Sequence, residues 1–378
     1  MAAKSKNSIF AIATFLASVV LSMALFLTGL ELYLRFRVHR DEKRTIYLSK
    51  DIFARAPSGK GYRLLPNRQY RVKGREFSYL IKSNSKGFRD RDFTFDVPPQ
   101  TKRIIILGDS FTFGHGVEND QTYPKVFEKE LASEGKYEVI NAGIPANSLV
   151  DYIELAKELA GIYKADVIMM GLHGGDILES LEDEGLAKSA VEMGLPGLKI
   201  KAAEKIKRHF FIELKDYLRY HLLSYGFIID KVKRNKTLSE LALKLGLISS
   251  CDTPCTLNDE FSDIRLLEFL RKNLGEYSRL ARKQGMVAAL FFVPDKWYVA
   301  SKRFYSGGKD RLAEITNILR SLCAEEDVEF VDVSSIREYP DADSALYYDY
   351  DYHFNRKGNE IFGKILYQAT LRSKCLKQ

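Results

Sequence analysis

Residues 103–117 read RIIILGDSFTFGHGV. Ile104, Ile105, Ile106 and Leu107 form an unbroken apolar run that stops at Gly108, and a short apolar run closed by a turn signal fits a strand buried on both faces. Asp109 and Ser110 follow at once, where such a strand would open onto a loop. A serine in that place either caps the next helix or serves as a nucleophile.

The same alternation continues outward. Residues 122–135 (TYPKVFEKELASEG) read as an amphipathic helix, 137–143 (YEVINAG) as a strand, 149–163 (LVDYIELAKELAGIY) as a helix and 166–176 (DVIMMGLHGGD) as a strand. After a gap the pattern resumes with helix 263–285, strand 286–294, helix 310–326, strand 328–335 and a closing helix over 356–374. Strands alternating with helices predict an α/β fold, a flavodoxin-like doubly wound parallel sheet of five strands. Its ligands would bind beyond the carboxyl ends of the strands, where GDS, NAG and GGD fall.

With 378 residues, 46% of them hydrophobic and 29% charged, the chain can bury one or two ordinary cores and is neither disordered nor collagen-like. The net charge of +8 comes with no zinc-finger, RNA-sheet or helix-turn-helix signature, so nucleic acid is not an expected partner. An anionic lipid surface accounts for the excess equally well. Residues 9–30 (IFAIATFLASVVLSMALFLTGL) are uncharged and apolar over a length that crosses a bilayer, and predict a transmembrane anchor over 9–32 behind a short tail at 1–8. A cleavable signal is the alternative, with Lys4 and Lys6 ahead of the run. Arg35, Arg37, Arg40, Lys43 and Arg44 after it favour a cytoplasmic domain by the positive-inside rule, although long domains translocate largely regardless of flanking charge.

Residues 33–100 form a juxtamembrane extension with short alternating runs broken by Pro, Asn and Gly, which suggests strands and no catalytic motif. Residues 101–180 and 261–372 carry the α/β pattern, with an insertion over 181–260. In that insertion Leu214, Tyr217, Leu218, His221, Leu222 and Tyr225 make a helical stripe among many lysines and arginines, read as a helical cap or as a helix lying on a membrane surface. Cys251 and Cys255 (CDTPC) can close a small disulfide loop, Cys323 and Cys375 stand apart, and the set lacks the ligands of a structural zinc site.

A nucleophilic serine needs a histidine to take its proton, and that histidine needs an orienting acid. Residues 347–360 (YYDYDYHFNRKGNE) supply Asp351 and His353 one residue apart, with Asn355 placed to cap the last helix. The G-x-S-x-G elbow of α/β-hydrolases is absent, as are the glycine-rich phosphate loops of nucleotide-binding folds, so no cofactor is expected. Asp349, Asp351 and His353 are also conceivable metal ligands, but no second cluster completes a site, and no metal is expected. His115 and His209 read as surface or packing residues.

Together ILGDSFTFGHGV, the following TYP, NAGIPANS (141–148), GLHGGD (171–176) and DYHFNRKG (351–358) resemble the SGNH or GDSL-type esterases and acyltransferases, over most of residues 78–372. SNSKGFRD (83–90) is similar to a segment of membrane-anchored members. The resemblance implies that Ser110 is the nucleophile and an oxyanion donor through its N–H, that Gly143 donates a second N–H, and that Asp351 orients His353 as general base and acid. The usual family spacing is D-x-x-H. Tyr350 holds that acid position here, so Asp349 stands in reserve as the orienting acid. Gly175 occupies the place where the family has the Asn that supplies the third oxyanion donor. Losing such a donor costs about 10² to 10³ in rate, so either another group replaces it, with His173 and Asn147 as the candidates, or turnover is slow, while Asp109 supports the rim loops.

Three functions follow from these readings: a cell-envelope ester hydrolase acting on acyl or O-acetyl esters, an O-acyltransferase modifying envelope glycans with the same residues, and a degenerate binding or assembly module. The expected partners are an acyl ester or acylated glycan and, through the N-terminal helix, the membrane. The expected location is a bacterial inner membrane with the domain outside the cytoplasm.

Overall fold

Pro66, Asn67 and Gly74 interrupt runs too short for helices, and these segments fold as two antiparallel hairpins, β1 (Phe53–Arg55) with β2 (Tyr62–Leu64) and β3 (Gln69–Lys73) with β4 (Ser78–Lys82). Val72, Tyr79 and Ile81 alternate with less buried neighbours and turn inward. The computed structural model describes residues 14, 15, 18, 19, 21–33, 51–57, 61–74, 76–183, 228, 264–300, 310–349 and 351–376.

The α/β elements follow as β5 (Thr101–Gly108), α1 (Ser110–Phe113), α2 (Tyr123–Leu131), β6 (Lys136–Gly143), α3 (Leu149–Ala160), β7 (Val167–His173), α4 (Gly174–Asp183), α5 (Ile264–Lys283), β8 (Val287–Val293), α6 (Arg311–Glu325), β9 (Glu329–Phe330) and α7 (Arg356–Arg372). The five strands from β5 onward form one parallel sheet in the order β6-β5-β7-β8-β9. Residues 104–107 of β5 are wholly buried between β6 and β7, as their continuous apolar run requires.

Strand order decides where the helices go. The chain leaves β5 toward one edge to form β6 and then crosses back over β5 to form β7, so right-handed crossovers place α2 and α3 on opposite faces. On one face α7 joins α2, where the Tyr123, Phe362 and Phe291 rings meet. On the other α5 packs on α3, and the Tyr277 hydroxyl donates to Ile168 O at 2.6 Å. The order reverses between β5 and β7, which is where a doubly wound sheet opens a crevice. The last strand is shorter than its sequence predicts. Asp332 accepts the Ser334 N–H at 2.9 Å and turns the chain out of the sheet, so β9 keeps only two residues of the expected 328–335.

Residues 44–193 and 254–378 form one compact unit and residues 1–43 and 194–253 another. In the second of these, residues 21–33 are helical, with Leu25 and Phe26 about two-thirds exposed. Among the described residues no helix is long and apolar enough to cross a membrane, and much of the anchor expected over 9–32 lies outside them. Most of the 181–260 insertion, with its helical stripe, Cys251, Cys255 and His209, also lies outside the described residues. Cys323 and Cys375 are free, buried thiols whose pKa burial pushes up to about 12 and about 11, which makes them inert.

The short helix α1 seats directly on the ends of two strands because both end in glycine. A Cβ on Gly143 would run into the Phe113 nitrogen, and one on Gly108 would run into the Thr112 side chain, both in α1. Gly143→Ala is therefore expected to cost about 1–3 kcal/mol by overpacking, measurable as a lower urea midpoint at an unchanged slope.

Candidate active site

Gly108 ends β5 and Asp109 turns the chain into α1, its carboxylate accepting the Phe111 N–H at 2.8 Å as an N-cap. Ser110 is thus the first residue of α1 and nearly buried. The helix stops at Gly114, whose φ of +82° is the left-handed conformation that suits glycine. Arg89, fully buried, donates from Nη1 to Phe113 O and Gly114 O at 2.8 and 2.7 Å and from Nη2 to Val117 O. Burial lowers its pKa to about 10, so it remains cationic at neutral pH.

A second loop comes from the far end of the chain. Tyr347 bridges Phe354, Tyr348 N–H donates to His353 O at 2.9 Å, and Asn355 caps α7 by accepting the Gly358 N–H at 2.9 Å. Glu76, in the β3–β4 turn, accepts the Asp349 and Asp351 amides at 2.8 and 3.0 Å. Tyr352 between the acid and the base has a φ of +71°, an uncommon conformation for a bulky residue. That turn lets Asp351 and His353 face the same side across a single intervening residue. The Tyr352 ring lies 5.9 Å from the Trp297 ring and 5.0 Å from Lys296 Nζ.

The two loops meet at Ser110. Its Oγ is 2.7 Å from His353 Nε2, and His353 Nδ1 is 2.5 Å from Asp351 Oδ1. Burial works against the Asp351 charge, but hydrogen bonds from His115 and His353 outweigh it and hold the carboxyl well below the usual carboxylate range. Asp351, and not the reserve candidate Asp349, is the carboxylate bonded to His353.

The oxyanion donors are arranged differently from the expectation. Ser110 N–H lies in the first turn of α1, where a helix has no internal acceptor to offer. Gly143 N–H donates to Asn141 Oδ1 at 3.0 Å and is already committed. Gly175 lies in the first turn of α4 and, lacking a side chain, offers only its N–H, which points 3.2 Å to His173 Nδ1. Asn147 is occupied with the β2 backbone, accepting the Tyr62 N–H at 2.7 Å. His173 directs Nε2 toward Asp295 (3.7 Å) and Nδ1 toward Gly175 and Asp109 (3.8 Å), so neither nitrogen is directed as a free oxyanion donor.

His173 has a different part in the site. Burial would lower its pKa, but Asp295, Asp109 and Asp176 outweigh burial and raise it to about 9. Protonated at neutral pH, its Nδ1 faces the Asp109 carboxylate at 3.8 Å and has no lone pair to offer the Gly175 N–H. Asp176, buried beside it, has its own pKa raised well above the usual value by burial and by Asp109.

His115 packs among aromatic rings, as one of its two expected readings had it, and it also faces the site. It is buried, its Nδ1 lies 2.8 Å from the Tyr79 hydroxyl, and its Nε2 lies 3.4 Å from Asp351 Oδ2. Together with Asp351 and His353 it brings ligand-type atoms within 4.8 Å, as do Asp109, His173 and Asp176. In the first cluster those atoms are engaged in the hydrogen-bond chain to Ser110. Tyr79, Glu76 and Arg89 were also missed. The inward phase of Tyr79 was readable in FSYLIK, but nothing local says what it faces.

No protein-family model matches the chain, and no curated protein does. Among solved structures it matches TesA at 13% identity and a TM-score of 0.40, over 71% of this chain and 97% of that one. It also matches a member of the lipolytic protein G-D-S-L family from Veillonella parvula (14%, TM-score 0.37, 72% and 97%) and a lipase/acylhydrolase from Enterococcus faecalis (15%, TM-score 0.37, 72% and 97%). The chain is similar to GDSL-type lipolytic hydrolases. At these identities and scores the likeness is loose, and the chemistry of the site rests on the distances among Ser110, His353 and Asp351.

Because the His173 pKa is raised from 6.5 to about 9 on folding, its contribution to stability is fully present below pH 6.5 and is lost as pH rises through about 9. The melting temperature of the wild type is expected to fall across that window. In His173→Gln the part of the fall due to this residue should vanish, as a pH series of thermal melts would read.

Proposed function

We propose that the chain is a serine ester hydrolase that works through an acyl-Ser110 intermediate. The observation that carries this reading is the unbroken line from Ser110 Oγ through the His353 imidazole to Asp351, at 2.7 and 2.5 Å. Serine is a poor nucleophile until a base takes its proton, and His353 Nε2 is within reach to do so. As Oγ bonds to the ester carbonyl carbon, the proton passes to Nε2 and the charge on the imidazolium is matched by ionised Asp351. The tetrahedral oxyanion takes the Ser110 N–H at the positive end of α1. His353 then returns the proton to the leaving alcohol, and water repeats the sequence to release the acid.

The envelope location and the membrane anchor belong to the same proposal, supported by the uncharged run at 9–30. The substrate class proposed is an acyl or O-acetyl ester. A transferase would use the same residues with a sugar hydroxyl in place of water. The half-buried Trp297 and Tyr352 rings beside the triad offer such an acceptor an apolar face. A degenerate binding module is the reading favoured by the committed Gly143 amide and by Gly175.

Labelling with a serine-directed fluorophosphonate separates enzyme from module. The wild type is expected to take the label at Ser110, and Ser110→Ala to take none. His353→Ala should slow p-nitrophenyl acetate hydrolysis about 10²- to 10⁴-fold, and free acid should be released even with excess polysaccharide present. Acylated sugar as the main product would favour the transferase. An unlabelled wild type would favour the module.

A further inference from the structure

The catalytic carboxylate has two oxygens, and the proposed mechanism uses one. Asp351 Oδ1 faces His353 Nδ1, while Oδ2 lies 3.4 Å from His115 Nε2. An ionised carboxylate only accepts, so the His115 nitrogen facing it must carry the proton. The other nitrogen, Nδ1, is 2.8 Å from the Tyr79 hydroxyl, and the Tyr79 oxygen takes a hydrogen bond from the Gly116 amide. The hydroxyl proton is therefore free to point at Nδ1, and one neutral tautomer satisfies both sides.

The surroundings keep that ring neutral and still. His115 is 4% exposed, with the Phe77 and Tyr79 rings edge-on at 4.9 and 5.5 Å and the His353 ring at 4.8 Å. Burial and the nearby charge of Arg89 oppose its protonation, Asp351 favours it, and the balance lowers its pKa to about 4. Tyr79 is pushed the opposite way, chiefly by burial, and stays a donor. Glu76 holds the Asp351 amide and Tyr348 donates to Gly116 O at 2.7 Å, closing the ring of polar groups around the pair.

We propose that His115 is a positioning residue: with its tautomer set by the Tyr79 hydroxyl, its neutral Nε2–H holds the second oxygen of Asp351 and keeps the carboxylate aimed at His353. This role rests on the hydrolase reading above. It also accounts for a D-x-H loop that turns on a left-handed Tyr352, since a carboxylate carried on so tight a turn gains a fixed direction from a partner outside it.

The test uses the full chain. Long-range ¹⁵N–¹H spectra of the imidazoles, with His115 assigned by its loss in His115→Gln, should show a proton on Nε2 and a bare Nδ1 from pH 5.5 to 8. A proton on Nδ1, or on both nitrogens, overturns the proposal. The rate of fluorophosphonate labelling of Ser110 supplies a second readout. His115→Phe should lower it about 10- to 100-fold, the scale of one hydrogen bond to a charged group. A carboxylate that loses a donor becomes more basic and binds the imidazolium more strongly, so the pH at which labelling falls off on the acid side should move up. His115→Gln, whose amide can still donate, should restore most of the rate. Equal losses in Phe and Gln variants, or a His115→Phe protein with wild-type rate and acid limit, overturn the role of His115. A wild type that never takes the label counts instead against the hydrolase reading.

Discussion

Arg89 lies wholly beneath the turn that carries Ser110, and among the described residues no carboxylate pairs with it. Its Nη1 donates to the carbonyls of Phe113 and Gly114, at the carboxyl end of α1 where a helix leaves such groups without internal partners, and its Nη2 donates to Val117 O just beyond. A four-residue helix has little stability of its own. It stands here because Asp109 caps its first turn, Arg89 gathers its last carbonyls, and two glycines let it rest on the strand ends. Removing the guanidinium would leave several carbonyls with no donor in a region closed to water, the situation that makes buried polar groups costly.

The same guanidinium sits 4.9 Å from the Tyr79 ring and 4.8 Å from the Phe113 ring, which fixes the hairpin strand β4 against the serine turn. Tyr79 in turn addresses His115, and His115 addresses Asp351. The N-terminal hairpins are therefore part of the site. Two histidines near Ser110 show how far environment governs the same side chain: His115, among rings and beside a cation, is held neutral, whereas His173, among three carboxylates, is held charged. One faces the Asp351 carboxylate and the other lies among Asp109, Asp176 and Asp295.

The strands and helices of the α/β unit were legible because their residues answer to local rules. An apolar run of four behind a glycine is a buried strand wherever it occurs, and TYPKVFEKEL carries its helical stripe in its own spacing. The end of β9 was less legible, since an Asp332 side chain took the chain out of the sheet at residues that still looked strand-like. Ser110, Asp351 and His353 were readable as types that need one another. Gly143, Asn147 and His173 were not, because whether an amide is available depends on what else has claimed it, and Asn141, Tyr62 and Asp295 are distant facts of packing.

Sequence alone determined the doubly wound order of elements, the serine at the end of the first sheet strand and the acid and histidine that could serve it, since each follows from short-range periodicity or from the demands of one reaction. Tertiary structure decided which carboxylate faces His353, which amides already have partners, and that His115 lies against Asp351. Those depend on contacts between residues as far apart as Tyr79, His115 and Asp351, whose meeting is set by the packing of separate elements and by no local signal.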